Sequence, residues 1–169
     1  MDTYLAVASK RDWRRYADRP VPEDAQRRIL DAGRLSGSSG NKQPWTFVVV
    51  EREEAKQALA ELVYEPTNVR GCAFAVAIAT PGGKFPFDVG RAMQNMMLVA
   101  WNEGVVSCPN GMPDAEAAAR ALGLDEGVLP VNVPSFAYPK RPLDAESKSP
   151  EEWSAEAKRK PLAELVFRQ

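Results

Sequence analysis

"FDVGRAMQNMMLVAWNEGV", Phe87 to Val105, is the stretch whose reading decides the fold. Val89, Ala92, Met93, Met96 and Ala100 recur at helical spacing and form one stripe. Met97, Leu98, Val99 and Trp101 fill much of the remaining circumference. A helix apolar nearly all round is buried in a core or an interface. The spacing predicts a long helix over residues 86–103, central in the fold and shared across a dimer. Gly90 inside it costs roughly 1 kcal/mol against Ala, which suits a close approach by another helix or a ligand. Gln94 and Asn95 read as interface hydrogen-bonders rather than catalysts.

Working outward, Cys72 to Ala79 is continuously apolar and reads as a strand buried on both faces, stopped by Pro81-Gly82-Gly83. Downstream come a short strand over Val105–Cys108, a turn at Pro109-Asn110-Gly111, and a helix over 115–122 capped by Asp114 and ended by Gly123. Leu129 to Phe136 reads as a strand made irregular, or kept at an edge, by Pro130 and Pro134. Upstream, Thr3 is expected to cap a helix over 4–11, and Asp18 to Pro22 is an extended break. A helix over 22–35 then starts on Pro22 with Glu23 and Asp24 at its positive end. A strand at 45–51 and a helix over Glu53–Leu62 follow. Residues 139–152 are charged and Pro-rich and read as a surface loop, before a short helix near 151–159. The whole is expected to be one domain, a single sheet with helices on both faces.

Composition excludes several classes. The net charge of −1 gives no global pull toward nucleic acid. No apolar run approaches the roughly 20 residues of a membrane span, and the start lacks a basic segment leading into an apolar core, so a cytoplasmic protein is expected. Cys72 and Cys108 read as small buried apolar residues. There is no histidine, which removes Ser-His and Cys-His nucleophile pairs and histidine-based metal sites; no metal site is expected. Chemistry must rest on carboxylates, Lys, Arg, backbone groups or a bound cofactor.

Three constellations could carry it. "KRDWRRY", Lys10 to Tyr16, holds Lys10, Arg11, Arg14 and Arg15. Alone it reads as a solvated basic face, but guanidinium groups also bind phosphate bidentately. "AKRKPL", Ala157 to Leu162, is a second basic cluster with the same two readings. "SGSSGNKQPW", Ser36 to Trp45, lies between a helix and a strand. It reads as a loop pinned at Trp45, offering hydroxyl and N–H groups from Ser38, Ser39 and Asn41 to a ligand.

Taken in order, these segments resemble the nitroreductase family of FMN-dependent oxidoreductases. "KRDWRRY" is similar to the family's basic start, and the Asn41-Lys42-Gln43-Pro44-Trp45 loop to its Asn-x-Gln-Pro-Trp element. "FDVGRAMQNMMLVAWNEGVVSCPNG" resembles its long dimer helix and flavin-facing strand, and "FAYPKRP" and "KRKPLAELV" its closing stretches. The resemblance implies an α+β, three-layer α/β/α sandwich with a mainly antiparallel sheet, assembled as an intertwined homodimer with FMN at the interface. By position, Lys10, Arg11 and Arg159, supported by Lys158 or Lys160, would grip the phosphate, with Asp12 at a position often held by Ser. Arg14 would face the flavin's pyrimidine edge; Pro109, Asn110 and Gly111 would lie near N5, through backbone N–H groups. Asn68 would reach the ring, and Gly37, Ser38, Ser39 and Asn41 would come from the partner subunit. NADH or NADPH would deliver hydride to the flavin, which would pass electrons to a small electron-poor acceptor such as a nitroaromatic or a quinone. Another reaction on the same cofactor (dehydrogenation, dehalogenation or flavin breakdown) and a non-catalytic flavin-binding dimer are the alternatives. Gly37 stands where the family has Pro, and Ala137 where it has Gly.

Overall fold

The computed structural model describes all 169 residues. Its contacts divide the chain into two compact units: Arg11–Pro142, and Met1–Lys10 together with Leu143–Gln169.

The larger unit is built on strand β2, Phe74–Pro81, whose residues are buried until the last. β2 pairs antiparallel with β1, Thr46–Val50, on one side. Its other side takes β4, Val128–Asn132, at one end and β5, Ser135–Ala137, at the other. β3, Val106–Cys108, closes the sheet against β5, and every strand pairing is antiparallel. The strand expected over Leu129–Phe136 is thus two strands. The break falls at Val133-Pro134, where proline has no N–H for the ladder.

Alternation along β2 assigns two cores. Phe74, Val76 and Ile78 pack with residues of α2, Glu23–Arg34, and α5, Pro86–Asn102. Ala75 and Ala77 face the opposite way, with Leu59, Ala60 and Val69 from α3, Glu53–Ala60, and α4, Pro66–Arg70. Helix α6, Ala115–Ala121, also packs on α3 and on β4 and is capped by Asp114 as expected. The result is an α/β/α sandwich. Ala137, where the resemblance has Gly, is fully buried, and its methyl belongs to the second core.

Helix α5 buries Val89, Ala92, Met96, Met97, Ala100 and Trp101, whereas Phe87, Arg91, Gln94 and Asn95 are exposed. It is therefore amphipathic within one chain. A Cβ built on Gly90 meets nothing within 4 Å, so the close approach expected there is absent inside the protomer. The close approach is at Gly33, whose Cβ would sit 2.1 Å from Met96 Cε. That glycine lets α2 press against α5.

In the smaller unit, helix α1, Thr3–Ser9, is capped by Asp2 rather than Thr3: the carboxylate accepts from the N–H groups of Tyr4 and Leu5, at 2.8 and 3.2 Å. It packs with α7, Pro150–Glu156, which starts on a capping box between Ser149 and Glu152. The segment expected as plain loop is pinned by a short turn at 145–147, where the Trp153 indole donates to the Ala145 carbonyl at 2.9 Å.

Candidate functional site

α1 ends at Ser9, two residues before the expected limit, and Lys10 is already extended (φ −58°, ψ 130°). The basic motif is therefore an extended strip rather than a helix end. Within the larger unit, Asp12 forms a parallel bridge with Ser107 on β3, and the Trp13 N–H donates to the Ser107 carbonyl at 3.1 Å. Further on, the Lys140 N–H donates to the Arg15 carbonyl and the Ala17 N–H to that of Tyr138. The Trp13 indole also donates to the Arg15 carbonyl, at 3.0 Å, which fixes its ring. Arg11 is half-buried along this edge, and Arg14 is exposed. The parallel register carries Arg14 toward the level of the turn that follows β3. A cavity of about 900 Å³ opens beside the strip, lined by Trp13, Arg15, Tyr16, Lys140 and Arg141. Three cations and two aromatic rings suit a planar, anionic ligand.

The turn itself is anchored from below. Asn110, only 3% exposed, turns its side chain inward: Nδ2 donates to the Val133 carbonyl at 2.7 Å, and Oδ1 accepts from Asn68 Nδ2 at 2.8 Å. Its carbonyl accepts from the Val133 N–H, and the Gly111 carbonyl accepts from the Tyr64 N–H, both at 3.0 Å. The N–H groups of Asn110 and Gly111 donate to no protein group. Pro109 has no N–H and holds the bend. The turn thus keeps its carbonyls engaged and two donors available at one end of the sheet, a usual ligand position. Asn68 is buried on α4 and directed at Asn110.

The Ser36–Asn41 loop is held by α5. Asn95 Nδ2 donates to Ser36 Oγ at 2.7 Å, and the Ser39 N–H donates to the buried Asp88 carboxylate at 3.4 Å. Gly37 is exposed, with the Arg91 guanidinium beside it. Ser38 Oγ accepts from the Gln43 N–H at 2.8 Å. Gly40, Asn41 and Gln43 all have positive φ, 57°, 53° and 48°, and Ser39, Gly40 and Asn41 are exposed. Left-handed backbone at non-glycine residues concentrates at ligand sites. A tether would show none of this anchoring.

In the smaller unit, Lys158 and Arg159 follow the end of α7 and are exposed, with Lys158 at φ 50°. Burial pushes the Tyr16 phenol well above its ordinary range, so it stays protonated. Burial likewise pushes the Cys72 thiol up to about 11, against the opposing charge of Lys56. Tyr16, Ser135 and Arg91 join this region of the larger unit without having been singled out in the sequence. Tyr16 and Arg91 lay in quoted motifs, the first hidden among the cations and the second on the long helix, whereas Ser135 lay in none.

Residues 7–80 and 83–133 match the Nitroreductase family. This chain belongs to the nitroreductase family. A protein of Archaeoglobus fulgidus named "Putative NADH dehydrogenase/NAD(P)H nitroreductase" is 31% identical over 149 residues, covering 82% of this chain and 86% of its own. A protein of the same name from Methanothermobacter thermautotrophicus is 28% identical, covering 82% of this chain and 78% of its own. Among solved structures, a "putative nitroreductase in complex with fmn" from Desulfovibrio desulfuricans superposes with a TM-score of 0.82 at 26% identity, over 100% of this chain and 98% of that one. A nitroreductase family protein from Streptococcus pneumoniae gives the same TM-score at 16% identity, which speaks to the nitroreductase fold alone. No helix of this nitroreductase-family chain is long and apolar enough to cross a membrane.

Proposed function

We propose that this nitroreductase-family chain is a cytoplasmic, homodimeric, FMN-dependent NAD(P)H oxidoreductase acting on a small electron-poor acceptor such as a nitroaromatic or a quinone. The observation that carries the reading is the Pro109–Gly111 turn, whose two N–H donors lack a protein acceptor, beside the edge strip that bears Arg11 and Arg14. The donor set fits FMN: a guanidinium for the phosphate, a second cation for the pyrimidine edge, and backbone N–H groups for the ring. Family membership and the FMN-bound relative from Desulfovibrio support the same cofactor. When bound, FMN supplies a two-electron carrier that accepts hydride from a nicotinamide and hands it on.

The chain's own residues then have defined tasks. Arg11 neutralises the anionic tail of the cofactor. Arg14 stabilises negative charge building at the pyrimidine edge. The Asn110 and Gly111 N–H groups orient the ring edge that reacts. Ser38, Ser39 and Asn41, on the loop held by Asp88 and Asn95, would wall the partner subunit's site. Phe87, 75% exposed at the start of α5, and Gly90, open one turn later, supply apolar and close-packing surface for that partner. Both cysteines are buried and neither forms a disulfide, which agrees with a reducing compartment.

Steady-state oxidation of NADH and NADPH with a quinone and a nitroaromatic as acceptors tests the reading. Donor and acceptor taking turns at one site predicts parallel double-reciprocal lines. No turnover of either nucleotide by FMN-loaded protein would overturn the assignment.

A further inference from the structure

Below the turn lies a polar chain that the proposed chemistry does not use. Asn68, 2% exposed on α4, donates to Asn110 Oδ1 at 2.8 Å, and its Nδ2 lies 3.7 Å from Cys108 Sγ. Asn110 Nδ2 reaches the Val133 carbonyl at 2.7 Å, the Cys108 carbonyl at 3.1 Å and Ser135 Oγ at 3.3 Å. Ser135, fully buried, donates to the Cys108 carbonyl at 3.1 Å. Its hydroxyl proton is thereby committed, so the Tyr16 hydroxyl, 3.0 Å away, donates to Ser135 Oγ. Four side chains from α4, the turn, β5 and the basic strip thus form one connected network.

Buried networks of this kind rigidify when every member is satisfied, and lose that effect when one member is removed. This one grips the turn from inside through Asn110, while the Tyr64 ring covers it from outside: a Cβ on Gly111 would meet that ring at 3.2 Å. Asn110 and Ser135 spend their side-chain groups inside the network, while Tyr16 borders the cavity and Asn68 keeps Oδ1 outside these bonds.

We infer that Asn68, Asn110, Ser135 and Tyr16 are positioning residues. They lock the Pro109–Gly111 turn so that its two N–H groups are preorganised, and so set how much more tightly the site holds the electron-rich form of its cofactor than the electron-poor form. The second half rests on the FMN reading; the first half does not. Preorganised donors stabilise developing charge without reorganising, so loosening them weakens the electron-rich form selectively.

The test uses Asn68→Ala, which orphans Asn110 Oδ1, and Tyr16→Phe, which keeps the ring and removes only the hydroxyl. Hydrogen exchange at the Val133 and Tyr64 amides, in the chain without cofactor, reports the grip on the turn, because those N–H groups donate to the Asn110 and Gly111 carbonyls. Asn68→Ala is expected to speed exchange at both about tenfold, with the central amides of β2 unchanged, and Tyr16→Phe to act in the same direction more weakly. With FMN, the ratio of affinities for the reduced and oxidised forms should fall about tenfold in Asn68→Ala, equivalent to about −30 mV for a two-electron couple. If Asn68→Ala does not fold, Tyr16→Phe carries both readouts. Unchanged exchange at Val133 and Tyr64 overturns the positioning role. Faster exchange with an unchanged affinity ratio overturns its effect on the cofactor. A wild-type chain that takes up no FMN overturns the cofactor reading and that second half together, and leaves the exchange result to decide the first.

Discussion

The guanidinium of Arg91 lies where a side chain on Gly37 would begin: a Cβ built there would sit 2.5 Å from Nη2. The loop and the long helix therefore fit each other through a glycine at the position where the resemblance has proline. A double-mutant cycle checks this. Gly37→Pro alone should destabilise the chain by about 1 kcal/mol through the displaced guanidinium, and Arg91→Ala should relieve most of that cost. Thermal melts of the four chains give the coupling.

Gly33 is a tighter case. Beyond Met96, a Cβ there would meet Phe47 Cζ at 3.1 Å, a ring atom that cannot swing aside as the end of a thioether can. Gly33→Val is expected to cost roughly 2–3 kcal/mol despite removing a helical glycine. Melting should fall by roughly 5–10 °C, at about 2–4 °C per kcal/mol for a chain of this size.

Arg11 and Arg14 of the edge strip should separate by role. Arg11→Ala is expected to weaken FMN binding about 10–100-fold, in line with the loss of a charge-assisted contact. Arg14→Ala should bind FMN more nearly as the parent does but lower the midpoint potential. Fluorescence titration and spectroelectrochemistry measure the two quantities. Equal effects of both variants on affinity, with no change in potential, would contradict the division.

Stability should also fall in alkali. The Cys72 thiol titrates near 11 in the fold, against an ordinary value of 9.0, so the unfolded chain releases its proton first as pH rises. Unfolded chains then hold fewer protons than folded ones, and stability drops between those two values, by on the order of 2–3 kcal/mol in total. Tyr16, shifted upward by burial, adds to the loss above its ordinary value of 10.0. Urea melts from pH 8 upward (roughly one point per half unit) should show the decline, and Cys72→Ala should remove the part that begins near 9.0.

Legibility in the sequence followed the range of the forces. β2 was readable because a fully buried strand must be continuously apolar, and α5 because helical spacing persisted over several turns. α4 was missed: it has five residues, begins on Pro66 and carries no periodicity. The end of α1 was placed too far along because Lys10 and Arg11 are good helix formers, whereas the chain turns extended there to meet the sheet edge. At the site, the Pro-Asn-Gly turn and the pinned loop could be read locally. The Asn68–Asn110 bond joins residues 42 positions apart and that of Tyr16 with Ser135 joins residues 119 apart. No local signal encodes such pairs.

The absorbance spectrum of the purified protein, recorded without oxygen before and after NADH and then NADPH, tests the central claim most directly. The account predicts a yellow protein with a bound flavin spectrum that bleaches with at least one nucleotide and returns when a quinone or nitroaromatic is added. A colourless protein that takes up no added FMN, or a bound flavin that neither nucleotide bleaches, would contradict it.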